Sequence, residues 1–209
     1  MEPQLIISFI IASVLLSLMP GPDNLFVLTE SLTKGHKNGI SISIGLCLGV
    51  LIHTLAAATG LSLIIQKSAF VFSIIKYLGA AYLFYLAFRA TKEGKPELDF
   101  QADRTTNEFR VLPLIRKGFF MNVLNPKVSL FFIAFLPQFV SPNGMNVTWQ
   151  MVALGLIFMA QALVVFSLIA ILSGRLTKHI NNPKLWKITR WSKVGVLSIL
   201  GLTLALSKK

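Results

Sequence analysis

The stretch LLSLMPGPDNLFVL (Leu15–Leu28) decides how this chain is read. Leucines on both flanks ask for an embedded helix, yet Pro20, Gly21, Pro22 and Asp23 interrupt it. Proline removes a backbone donor and frees the carbonyl four residues earlier. With a glycine between two prolines, an uninterrupted helix is not expected here. In hydrocarbon, a freed carbonyl needs a partner in protein, in a water-filled cavity or on a solute. The break is therefore read as a polar site set into an apolar span.

Working outward, the composition agrees. The 209 residues are 54% hydrophobic and 13% charged, about half the ~25% charge of a soluble domain. The charges cluster between apolar runs, as in a membrane bundle. Hydropathy places six spans near 5–29, 40–65, 69–90, 115–140, 148–173 and 190–207, the last being the shortest. The N-terminal run starts with Glu2 and has no Lys or Arg before Lys34. It also lacks a small-residue cleavage site, so it is read as a retained first helix rather than a secretory signal.

The net charge of +12 reads as loops that set orientation, not as nucleic-acid binding. Fifteen of the 20 Lys and Arg fall in the first, third and fifth loops: Lys34 and Lys37, the seven from Arg89 to Lys117, and the six from Arg175 to Lys193. That bias predicts cytoplasmic odd loops and both termini outside in a multi-pass protein. Trp149, Trp186 and Trp191 sit at predicted span edges, where interfacial aromatics belong.

The chain is expected to form one membrane domain over 1–209. Its parts are a first three-helix repeat (1–90), a cytoplasmic linker rich in both charges (91–113) and a second three-helix repeat (114–209). An odd number of spans per half inverts one half relative to the other, a recurring transporter architecture. The first helix of each half is broken by proline beside polar residues, at Pro20–Asn24 and at NVLNPK (Asn122–Lys127). Asp23 lies 11 residues before Lys34, and Lys127 lies 11 after Arg116. At 1.5 Å per residue both would be about 16 Å deep, near the midplane. Intramembrane charges are costly and functional by default. The pair is expected either to pin the halves as a salt bridge or to open as a gate. A zwitterionic amino acid suits a site with bare carbonyls and a helix N-terminus.

These motifs, with KYLGAAYLFYLAF (Lys76–Phe88), GFFMNVLNPKVSLFFIAFLPQF (Gly118–Phe139) and VGVLSILGLTLAL (Val194–Leu206), resemble the LysE/RhtB family of bacterial amino-acid exporters over nearly the whole chain. The resemblance implies efflux of amino acids or close derivatives across the bacterial inner membrane, driven by the proton-motive force, and is compatible with a homodimer. It points to Pro20, Gly21, Pro22, Asn122, Asn125, Pro126 and Lys127 as substrate-binding positions, with Asp23 and Asn24 extending the first motif. Asp23, the one carboxylate inside the spans, is the expected proton carrier.

Other residues read more plainly. Gly45 and Gly49 form GxxxG, which favours close helix packing. His53 is read as hydrogen-bonded to a neighbouring helix rather than as a proton relay. Gln161 could contact solute or a helix. Lys76 is expected to extend outward, and Tyr82 and Tyr85 to pack on one face. The alternative function is transport of an inorganic ion or another small solute. Against a metal, Asp23, Cys47 and His53 are scattered, and the single cysteine excludes an internal disulfide. No catalytic motif, cofactor site or metal site is expected, so the chain is not read as an enzyme.

Overall fold

In the computed structural model of the chain, residues 1–61, 68–94, 110–141, 145–180 and 183–207 are described. Among them every regular element is helical. Most of the expected linker, and Lys67, Lys208, Lys209 and the Trp186 side chain, lie outside what is described.

Helix α1 (Pro3–Leu18) ends where the sequence says it must. Met19 is extended (φ −62, ψ 122), as the residue before a proline prefers. Gly21 is extended as well, and α2 (Pro22–Lys34) begins with proline at its first position, where a missing N–H costs nothing. Gly35, with φ +94, then turns the chain into α3 (His36–Ala56), which ends in a π-helical turn, Ala57–Leu61. Positive φ is the conformation glycine adopts most cheaply.

After α4 (Ala69–Thr91), capped by Ser68, the second half opens with α5 (Val111–Val123). It breaks at Leu124–Asn125 and restarts as α6 (Pro126–Leu130). That rod continues through a π turn (Phe131–Phe135) and a 3-10 turn (Leu136–Phe139). Then come α7 (Val147–Ile180) and α8 (Pro183–Leu206).

The regions His36–Leu61, Phe70–Thr91 and Val147–Arg175 are long and apolar enough to cross a membrane. Two broken pairs, Pro3–Leu18 with Pro22–Lys34 and Val111–Val123 with Pro126–Phe139, bend by 57° and 50° and raise the number to as many as five. The sixth expected span falls in α8, which is long enough but less apolar. Arg190 and Lys193 precede its apolar part, Val194–Leu206, which is shorter than the ~20 residues of a full crossing.

The exterior is apolar, with exposed Phe70, Leu78, Leu124, Val164, Ile171 and Ile199. Polar side chains such as Ser13, Asp23, Ser43, Asn122 and Gln150 are buried. That distribution suits lipid as solvent. Helix α3 is the hub, packed on α5, α7 and α2. At its crossing with α5 the backbones touch: a Cβ on Gly45 would strike the Ile115 carbonyl, and one on Gly118 the Ile42 carbonyl. Packing is thus the use made of the GxxxG pair. Tyr82 and Tyr85 stack at 5.7 Å between ring centroids.

Lys76 corrects its expectation. It is buried at 6% exposure, and its Nζ donates to the Ser207 carbonyl at 2.8 Å, just past the end of α8.

Gln150, fully buried, clamps the segment after the second break. Its Oε1 accepts from Ser141 N and its Nε2 donates to Ser141 O, both at 2.9 Å. Gln150→Leu leaves both backbone groups unpartnered and is expected to cost about 2–3 kcal/mol. A drop in the thermal midpoint of the detergent-purified protein is the check.

Candidate functional site

Each break exposes backbone that the other half covers. Pro20 frees the Leu16 carbonyl, four residues back. That oxygen accepts from Lys127 Nζ at 3.2 Å, and Met19 O accepts from the same Nζ at 3.3 Å. Pro126 cannot donate to the Asn122 carbonyl, which accepts from Asn125 N at 2.9 Å instead, and His53 Nε2 lies 3.1 Å from the same oxygen. A carbonyl only accepts, so Nε2 carries the hydrogen. Asn24 Nδ2 donates to Ser17 O at 2.7 Å, closing a further orphan at the end of α1.

Asn125 joins the two breaks. Its Oδ1 caps α6 by accepting from Lys127 N at 3.0 Å. Its Nδ2 donates to Asp23 Oδ2 at 2.8 Å. Asp23 and Lys127 hold the same register, one residue after a first-position proline. A carboxylate there suits the positive end of α2, whereas an ammonium does not suit that of α6. Lys127 instead sends its charge to the carbonyl end of α1, over Gly21, whose Cβ would come 3.4 Å from Nζ. Asp23 and Lys127 are therefore linked through Asn125 and do not form an ion pair within 4.0 Å. The direct salt bridge expected from their shared depth is replaced by this mediated one.

Between the breaks lies a small half-open cavity lined by Leu16, Ser17, Asp23, Asn122, Lys127, Val128, Phe158 and Phe166. Its volume of about 10 Å³ is room for one water-sized group. Asp23 and Asn122 are each only 2% exposed. Their Oδ1 atoms have no hydrogen-bond partner, nor do Asn24 Oδ1 and Gln161 Oε1, which lie outside the lining. Gln161 Nε2 donates to Ser17 Oγ at 3.0 Å and reaches toward Ser13 O at 3.4 Å. Its amide thus ties α7 to α1 while its oxygen stays open.

A cluster of phenyl rings packs beside the cavity, joined to its lining through Phe158. Phe131 packs on Phe9, Phe135 and Phe158 at centroid distances of 6.0, 5.3 and 5.4 Å, and Phe9 meets Phe139 at 5.2 Å.

Of the nine positions expected to bind solute, Asp23, Asn122 and Lys127 line the cavity, while Gly21, Asn24 and Asn125 support it. The prolines correct the expectation. Pro22 and Pro126 are exposed, and Pro20 is outside the lining. A ring at the first helical position lies on the outer face, and the residue after it is turned about 100° inward. The prolines make the break and do not touch what fills it. Ser17, Phe158 and Phe166 belong to the lining although sequence reasoning passed over them. Phe158, Ala162, Phe166 and Ala170 recur every four residues on one buried face of α7, which is the signal available for two of the three.

Interrupted helices meeting around buried charge, inside an apolar bundle, define the class of solute-transporting membrane proteins. The chain belongs to the family of LysE type translocators, which matches residues 14–208. This is a family of transporters, not of enzymes. The chain is 30% identical over 199 residues to the homoserine/homoserine lactone efflux protein of Salmonella typhimurium, covering 95% of this chain and 94% of that protein. It is 28% identical over 209 residues to a Vibrio cholerae membrane protein, at 99% and 98% coverage. It is 30% identical over 202 residues to the Bacillus subtilis membrane protein YrhP, at 94% and 95% coverage. No solved structure matches the chain.

Proposed function

We propose that the chain exports amino acids or close derivatives, homoserine-like solutes among them, across the bacterial inner membrane by proton antiport. Solute enters from the cytoplasm between the broken helices, two inverted three-helix halves rock about it, and it leaves outside. The observation that carries this reading is the pair of helix breaks that cap one another around a buried carboxylate and a half-buried lysine. The relatives named for homoserine efflux favour the solute class.

A two-fold repeat of the halves is supported by the packing. Exchanging α1/α2 with α5/α6, α3 with α7 and α4 with α8 turns the α3–α5 contact into α7–α1, and both are present. The same exchange maps α3–α7 and α4–α8 onto themselves, and these are present too. In this reading α8 is the sixth span. Lys193 marks its cytoplasmic edge and is tied to Glu93 at 2.6 and 2.8 Å. Asp23 carries the proton, because a carboxylate enclosed with one open oxygen is the group in the cavity that can take one up.

Counterflow in proteoliposomes against a panel of amino acids tests the proposal. Labelled homoserine is expected to accumulate in vesicles preloaded with unlabelled homoserine. Lys127→Ala strips the partner from two α1 carbonyls and is expected to slow exchange about 10-fold or more, since each orphan costs about 1–3 kcal/mol. If no compound in the panel exchanges faster than in protein-free vesicles, the proposal is lost.

A further inference from the structure

We propose that Glu30 relays the proton between Asp23 and the cytoplasm. This rests on the export reading above and deepens it, adding a residue that handles the proton and not the solute.

Glu30 is a second carboxylate inside the bundle. It lies one residue past the first span read from the sequence, but α2 runs on to Lys34 and carries it inside. It is 8% exposed. At this level α2 packs on α3 and α7, and a Cβ added to Gly39 of α3 would meet both Ser31 and the Ala170 side chain. Glu30 Oε2 is buried there without a hydrogen bond. Among the described residues Lys34 is the one cation within 4.0 Å of it, at 3.5 Å. Lys34 is itself exposed. The adjacent hydroxyl, Ser31 Oγ, is spent on the Val27 carbonyl at 2.6 Å. Of the other charged or titratable residues described on the helices against α2, His36 and Lys37 on α3, Arg116 and Lys117 on α5 and Arg175 on α7 are exposed. Lys117 lies over the Phe26 ring at 4.1 Å, and His53 is at the second break. A buried charge inside a membrane bundle is functional by default.

Position gives the function. Seven residues separate Asp23 from Glu30, so the two fall within about 20° of one face of α2 and about 10.5 Å apart along its axis. The Cα–Cβ bond of a helical residue tilts toward the helix N-terminus, which turns the longer Glu30 side chain back toward Asp23. Water completes the path, as it does for other proton-transfer groups. Val27, wholly buried, lies between them on the same face. Its side chain leaves no standing wire, so the proton passes only when movement of α2 admits water. The carboxylic acid of Asp23 then gives its proton to that water, the water gives one to the Glu30 carboxylate, and Glu30 releases it to cytoplasmic water. Both side chains end as carboxylates, and no other bond changes.

Proteoliposomes separate the proton from the solute. Counterflow at equal pH exchanges homoserine with no net proton movement, whereas efflux driven by a pH gradient requires a proton to be released in every cycle. Glu30→Gln is nearly isosteric and is expected to keep native counterflow. Its gradient-driven efflux is expected to slow by about 100-fold, the lower end for a positioned proton-transfer group. Lys34→Gln removes the same ion pair but keeps the carboxylate. Exposed pairs of this kind add little to stability, so this variant is expected to match the native protein in both assays.

Native gradient-driven efflux by Glu30→Gln overturns the inference. So does loss of counterflow and driven efflux together, or a Lys34→Gln that slows driven efflux as much as Glu30→Gln does, since either would make Glu30 a structural group. These results leave export standing. Absence of exchange by the native protein with every amino acid in the panel defeats the export reading and the inference with it.

Discussion

Asp23→Asn is expected to abolish proton-driven uphill efflux, to the level of vesicles without protein, while the variant inserts and elutes as the native protein does. The side chain is nearly isosteric, and an amide oxygen can still accept the Asn125 Nδ2 bond now made to Asp23 Oδ2 at 2.8 Å. Shape and the join between the breaks are therefore retained. What disappears is the carboxylate that takes up the proton in the proposed cycle. An amide takes up no proton near neutral pH. Loss of transport by about 100-fold or more corresponds to about 2.7 kcal/mol, within the range of a removed charged hydrogen-bond partner. Efflux measured down an imposed pH gradient decides it. Undiminished efflux by Asp23→Asn would remove Asp23 from the mechanism.

The second large effect is structural. Gly45→Val is expected to leave little folded protein. Its Cβ would meet the Ile115 carbonyl oxygen, with the Ile115 carbonyl carbon 2.8 Å away and Phe119 N at 2.9 Å. These are backbone atoms of α5 and cannot rotate aside. The helices would have to part along the crossing that also positions Asn122 against Gly49. Overpacking of this kind costs about 1–3 kcal/mol or more. Gly195→Val is the matched control, since nothing lies within 4 Å of a Cβ built there. The thermal midpoint in detergent should fall steeply for the first and stay within a few degrees for the second. Equal midpoints would mean the α3–α5 contact is looser than described.

The helix breaks were legible in the sequence because proline chemistry is local. Counting four residues back from Pro20 and Pro126 reaches Leu16 and Asn122, and both carbonyls have polar side-chain partners, Lys127 and His53. The favoured reading of His53, a bond to a neighbouring helix, is the arrangement found. The shared cavity of Asp23 and Lys127 was legible from their spacing to the basic boundary residues. Their indirect connection was not, because spacing along a helix fixes depth and says nothing of lateral direction. For the same reason the outward rings of Pro22 and Pro126 could not be foreseen. Phe158 and Phe166 lie on the four-residue pattern with Ala162 and Ala170, which was passed over because the other faces of α7 are apolar too. Lys76 was misread because the end of α8, which receives it, lies 131 residues along the chain.

The opposite charges at matching positions after Pro22 and Pro126 make the two halves non-interchangeable. A protein assembled from two copies of the first half would bring carboxylate against carboxylate and leave no ammonium for the ends of α1. Two copies of the second would set two lysines over one small void with nothing to neutralise them. Any bundle symmetric at these two positions would have to fill its centre differently.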